Sequence, residues 1–128
     1  VTAIEIDPLM ICIAQEEFGV NQLEKITIIQ ADAADYVKQC AESYALILVD
    51  IFIDDRVPEF VQSFSFLKEL KRILKPGGRI FINTIRHDAH FDQHESTIYH
   101  VLTELGFKVQ IEKVENMNFV WIADLCVE

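Results

Sequence analysis

The 128 residues include few of the types that break or cross-link a chain: three prolines, four glycines and three cysteines. With so little proline and glycine, no stretch reads as a linker, repeat or low-complexity segment. Cys12, Cys40 and Cys126 are odd in number, widely spaced and set among apolar neighbours. They form neither a disulfide framework nor a metal-ligand spacing, and are expected to be buried free thiols in a reducing, cytoplasmic compartment. Basic residues are also scarce. Eleven Lys and Arg stand against 21 Asp and Glu, a net charge of −10. Such a field repels polyanions, so nucleic acid is not the expected partner. No apolar run approaches the ~20 residues that span a bilayer, so no membrane partner is expected either, and no signal peptide is visible.

What is present is apolar. Half of the residues (51%) are hydrophobic, nine of them Phe, which is the composition of a folded domain rather than a disordered one. The first residue already lies in a strand-like run with no cap or turn before it. The chain is therefore expected to be a fragment, the N-terminal part of a larger domain being absent.

Val1 to Ile6 is apolar and largely β-branched, and Asp7-Pro8 is a strong helix start. A helix to Phe18 is predicted, stopped by Gly19. Ile26–Ile29 is a second strand, Ala33–Ala41 a short helix and Tyr44–Val49 a third strand. The unbroken apolar run of that third strand suits a parallel strand covered on both faces. A loop, Ile51–Val57, leads to one longer helix from Pro58 through Leu74. Lys75-Pro76-Gly77-Gly78 ends it, and Arg79–Thr84 is the fourth strand. After a polar stretch, Ile85–Gln93, comes a helix carrying Ile98, Val101, Leu102 and Leu105. Two strands close the chain, Phe107–Val114 and Phe119–Leu125. The turn Glu115–Asn118 is too short for a crossover, so these two must pair antiparallel. The order β-α-β-α-β-α-β-α-β-β predicts an α/β fold with a mostly parallel sheet and a C-terminal antiparallel hairpin.

In such a sheet ligands bind at the carboxyl ends of strands. Glu5 stands there, and its two acceptor oxygens match the spacing of two ribose hydroxyls. Asp7 reads as a helix cap. Asp50 ends an apolar strand, where desolvation would raise its pKa toward that of a general base.

Taken together, four stretches resemble class I S-adenosylmethionine-dependent methyltransferases, most closely the spermidine synthase-like branch. They are Ile4-Glu5-Ile6-Asp7-Pro8; Ala31-Asp32-Ala33; Leu48-Val49-Asp50-Ile51-Phe52 with Val57-Pro58-Glu59; and Leu74-Lys75-Pro76-Gly77-Gly78-Arg79. The resemblance covers residues 1–128 and implies one partial Rossmann-like domain that lacks the family's first strand and Gly-rich turn. The cofactor it implies is S-adenosylmethionine, or decarboxylated S-adenosylmethionine in an aminopropyltransferase. It places Glu5 and Ile6 at the ribose, the Asp32 side chain and the Ala33 N–H at the adenine edge, and Asp50 between cofactor and acceptor. Asp50 would be the catalytic base. Asp54, Asp55 and Glu59 would favour a small-molecule acceptor, such as a cationic amine. Ile51-Phe52-Ile53 departs from the small polar residues of polyamine synthases, so methyl and aminopropyl transfer both stay open. So do a non-catalytic scaffold and a nicotinamide-dependent oxidoreductase, although the proline-glycine-glycine turn and closing hairpin argue against the last.

His87, His90 and His94 with Asp88 and Asp92 are the one cluster with metal-like spacing. They start in a loop without a second motif, so no metal is expected. His100 is expected to be structural. Phe119, Trp121 and Tyr99 are assigned to the core or to a subunit interface, which keeps a homodimer among the expectations.

Overall fold

The computed structural model describes residues 1–85, 91–115 and 118–127, and for residues 91–96 the backbone only. Two compact units result, Val1–Cys40 and Ala41–Glu128.

In the first unit, β1 (Thr2–Glu5) pairs in parallel with β2 (Thr27–Gln30), and Glu5 stands opposite Gln30. Helix α1 (Pro8–Phe18) connects them. Asp7 caps its start and Gly19, at φ 64°, its end, a conformation that a side chain would strain. A short 3-10 turn, Val20–Gln22, leads into β2, and α2 (Ala33–Gln39) follows that strand. No residue of α1 is buried, and Leu9, Met10 and Ile13 are exposed.

The second unit holds a four-stranded mixed sheet in the order β3-β4-β6-β5. Strand β3 (Tyr44–Val49) runs parallel to β4 (Leu74–Ile85), while β6 (Asn118–Leu125) pairs antiparallel with both β4 and β5 (Phe107–Val114). The closing hairpin is as predicted. One sheet face is the core: Ile80 and Ile82 of β4 and Trp121 and Ala123 of β6 are fully buried. Helices α3 (Phe64–Arg72) and α4 (Phe91–Glu104) supply Leu67, Leu70, Ile98 and Leu102, which are also sealed from solvent. The one buried polar side chain among the described residues, Thr84, is satisfied. Its Oγ1 donates to the Phe119 carbonyl and accepts from the Trp121 indole N–H. Lys71 of α3 donates to the Leu105 carbonyl, covering the C-terminal end of α4.

Several expectations need correcting. The helix expected from Pro58 through Leu74 is broken into a 3-10 turn, Glu59–Gln62, and α3. Ser63 breaks it: extended at φ −71° and ψ 145°, it donates to the Phe60 carbonyl and accepts from the Phe66 N–H as the α3 cap. Lys75–Gly78 is not a free turn ahead of the fourth strand. Tyr44 already faces Leu74 and Leu46 faces Arg79, so the four residues bulge from a continuing ladder, with Gly77 at φ 76°. Helix α4 begins at Phe91, inside the stretch expected to be polar loop. Strand β3 is covered on one face only. Val49 is buried, but Leu46 and Leu48, which alternate to the opposite face, are 52% and 69% exposed. Of the cysteines only Cys40 is buried; Cys12 and Cys126 are exposed. A hydrogen bond with Glu16, and then its charge, push the Cys12 thiol pKa up, which makes it a poor nucleophile.

Leu67→Ala should cost about 3 kcal/mol in urea denaturation, the usual penalty for a cavity in a sealed core, whereas Leu48→Ala should cost under about 0.5 kcal/mol. Equal losses would show that the two faces of the sheet are not distinguished as described. Arg79 and Asp124 form a bidentate pair across β4 and β6, at 2.6 and 3.0 Å. Hydrogen bonding from Arg79 holds the Asp124 carboxyl below its ordinary value, against a small opposing effect of burial. A carboxylate with a lowered folded-state pKa stabilises above the unfolded value and loses that contribution as pH falls through the folded one. Wild type and Asp124→Asn should therefore differ in urea midpoint near neutrality and converge in strong acid. A constant difference across that range would contradict the pairing.

Candidate active site

The two strand-to-helix turns of the first unit are built alike. Each strand ends, one residue passes (Ile6 or Ala31), and an Asp caps the next helix. Asp7 Oδ1 accepts from the Leu9 N–H at 2.9 Å. Asp32 Oδ1 accepts from Ala34 and Asp35 at 2.8 and 3.3 Å. The Ala31 N–H donates to the Glu5 carbonyl, so the ends of β1 and β2 stay level. Glu5 then folds back: its Oε1 accepts from the Asp7 N–H at 3.0 Å. That bond holds the carboxylate beside the turn through one of its two oxygens. Ile6, next to it, is 59% exposed.

These groups fit the nucleoside end of an adenosyl cofactor by their chemistry. Glu5 is an acceptor-only group already held at a strand end, suited to a ribose diol. At the adenine position one Asp32 oxygen is committed to the cap and Oδ2 lies outside it. The Ala33 N–H, at the first position of α2, has no acceptor within its helix. A donor and an acceptor therefore stand side by side, as an adenine edge requires.

Asp50 lies in the second unit. It directly follows Val49, which is level with Ile82, and so it stands beside Asn83. Asn83 Nδ2 donates to Asp50 Oδ1 at 3.0 Å, and Asn118 Nδ2 donates to Asn83 Oδ1 at 3.0 Å. Asp50 is exposed. The burial expected at the end of an apolar strand is not there. Asp54 and Asp55 form the tip of a tight turn closed by paired bonds between Ile53 and Arg56. Asp54 takes the left-handed conformation at φ 56°, and Glu59 lies in the first turn of the 3-10 segment. The expected loop Ile51–Val57 thus holds a short pinned turn.

Asn83 and Asn118 were not picked out from the sequence. The available signal was an amide residue on the polar side of an otherwise apolar strand, Arg79-Ile80-Phe81-Ile82-Asn83. Among the described residues no group of His, Cys, Asp and Glu could hold a metal. His87, Asp88 and His90 lie outside the described residues, as do the side chains of Asp92 and His94.

A methyltransferase domain family profile matches residues 1–122, which takes in both carboxylate-bearing turns, strands β1 to β5 and the first part of β6. The chain belongs to the class I S-adenosylmethionine-dependent methyltransferase family. This methyltransferase domain is similar to the polyamine aminopropyltransferase of Vibrio vulnificus, 29% identical over 113 residues, covering 85% of this chain and 38% of that protein. It is also similar to the human eEF1A lysine and N-terminal methyltransferase, 32% identical over 101 residues, covering 69% of this chain and 14% of that protein. Human methyltransferase-like protein 13, solved in complex with SAH, superposes with a TM-score of 0.83 at 25% identity, over 97% of this chain and 60% of that one. The domain thus spans well under half the length of either curated relative.

The cap at Asp32 can be separated from any ligand role. Asn caps as well as Asp, so Asp32→Asn should leave thermal stability within about 0.5 kcal/mol of wild type, while Asp32→Ala should lose about 1 kcal/mol. Equal losses in both variants would reject the cap.

Proposed function

We propose that this chain is part of an S-adenosylmethionine-dependent transferase that acts on a small-molecule acceptor. The observation that carries the reading is the Glu5 carboxylate, held by the Asp7 N–H beyond the end of β1 in a chain of this family. Glu5 and Ile6 hold the ribose, and Asp32 Oδ2 with the Ala33 N–H takes the adenine edge. When bound, the cofactor supplies a sulfonium-activated carbon. Asp50 orients the acceptor and takes the proton that an amine must lose before it can attack. Asp54, Asp55 and Glu59, in a chain of net charge −10, favour a cationic amine.

Aminopropyl transfer from decarboxylated S-adenosylmethionine is the second reading, supported by the similarity to a polyamine aminopropyltransferase. Ile51-Phe52-Ile53 weighs against it, since these apolar side chains follow Asp50 where polyamine synthases carry small polar ones. The finer architecture is a class I sheet in which one more parallel strand lies along β3. Among the described residues β3 is an edge strand of its sheet, which supports it. On that reading the chain alone has an incomplete cofactor site, and calorimetry should find no micromolar binding of S-adenosylmethionine.

In the full-length protein, S-adenosylmethionine or its decarboxylated form should raise the melting temperature and NAD should not, because only binding to the folded state stabilises. Glu5→Ala should remove that rise. Asp50→Asn should retain it while lowering transfer to an amine acceptor by at least about 100-fold. Stabilisation by NAD alone would reject the family chemistry, and undiminished transfer in Asp50→Asn would reject the base.

A further inference from the structure

We propose that Asn83 and Asn118 are positioning residues for Asp50, joined as a directional amide relay; this rests on the reading of Asp50 as the residue that meets the acceptor. The two amides lie on the polar face of the second unit's sheet. Asn83 pairs with Val120 in the antiparallel β4–β6 ladder, so Asn118, two residues before Val120, is its diagonal neighbour on the same face. The relay therefore crosses from the end of β3 over β4 to the first residue of β6, with both links at 3.0 Å.

Its direction follows from the chemistry. An ionised carboxylate only accepts, so Asn83 must turn its NH2 toward Asp50. That turns the Asn83 carbonyl toward Asn118, which must then also present its NH2. Asn83 has one orientation that satisfies both neighbours, and the charge on Asp50 selects it. Asp50 is exposed and would otherwise sample several rotamers. The relay ties Oδ1 and offers Oδ2 alone to an acceptor. Both amides occupy strand positions that favour β-branched or aromatic residues, a local cost that interior packing does not recover on this half-exposed face.

The arrangement predicts a different dependence for each residue. Removing Asp50 removes the proton acceptor. Removing Asn118 leaves the acceptor in place but frees Asn83 to rotate and Asp50 to wander. The loss then falls on kcat, roughly tenfold, with the KM for the amine nearly unchanged.

The test uses Asn118→Ala and Asn118→Asp, the second of which keeps the shape and removes the donor. NMR of the labelled 128-residue chain reads the Asp50 carboxyl carbon and the Asn83 side-chain amide without any turnover. Both signals should shift in both variants, while the Asp124 carboxyl carbon, in the same β4–β6 pair but bound by Arg79, stays in place. An unmoved Asp50 signal overturns the relay. So does an equal displacement of Asp124, which would report general loosening of the ladder. Titration with 1,4-diaminobutane as a cationic amine probe separates the underlying reading. A diamine that leaves Asp50 unmoved, while the Asn118 variants move it, upholds the relay and rejects Asp50 as the amine contact.

Discussion

A parallel strand that passes directly into a helix creates one problem that the rest of the first unit answers. The first turn of each helix has N–H groups with no partner inside the helix, and they point back toward the end of the strand. Asp7 and Asp32 supply the missing acceptors. Because the caps hold the two turns, the Asp7 N–H is left to fix Glu5, and the Ala33 N–H is left open beside Asp32. The groups assigned to a nucleoside are thus by-products of ending two strands and starting two helices. That economy explains why a carboxylate at this point of an α/β chain so often marks a ribose site.

The second unit solves a different problem. Its sheet has one sealed face, built on Ile80, Ile82 and Trp121 against Leu67, Leu70, Ile98 and Leu102. The other face carries the residues between them, namely Arg79, Phe81 and Asn83. Alternation along β4 is therefore what separates stability from chemistry. The buried face tolerates only the satisfied Thr84–Trp121 pair. The open face carries a salt bridge at one end and the amide relay to Asp50 at the other. A shift of β4 by one residue would bury Arg79 and Asn83 and lose both faces together.

Much of this was legible in the residues. The strand and helix order, the closing hairpin, the capping Asp7 and the position of Glu5 all follow from local pattern. Helix caps and glycine stops act over a few residues, so a linear sequence can carry them. The cap at Ser63 was missed all the same: it interrupts a helix that its neighbours would have continued, through bonds to both flanks. Effects of distant elements were less legible. Leu46 and Leu48 belong to a run that reads as buried, yet which face of a strand is covered depends on elements far along the chain. Asp50 was expected to be desolvated for the same reason and is exposed.

The sequence alone determined the periodicities, the turn chemistry and the four motifs that point to an S-adenosylmethionine-dependent fold. These depend on intervals of one helical turn or one strand pleat, which no distant contact can alter. Only the tertiary structure decided that Asn83 and Asn118 stand in line with Asp50. Thirty-three residues separate Asp50 from Asn83, and thirty-five separate Asn83 from Asn118. Their meeting depends on the register of β3 on β4 and of β4 on β6. Register is settled by which faces find a core, and that is a property of the folded sheet.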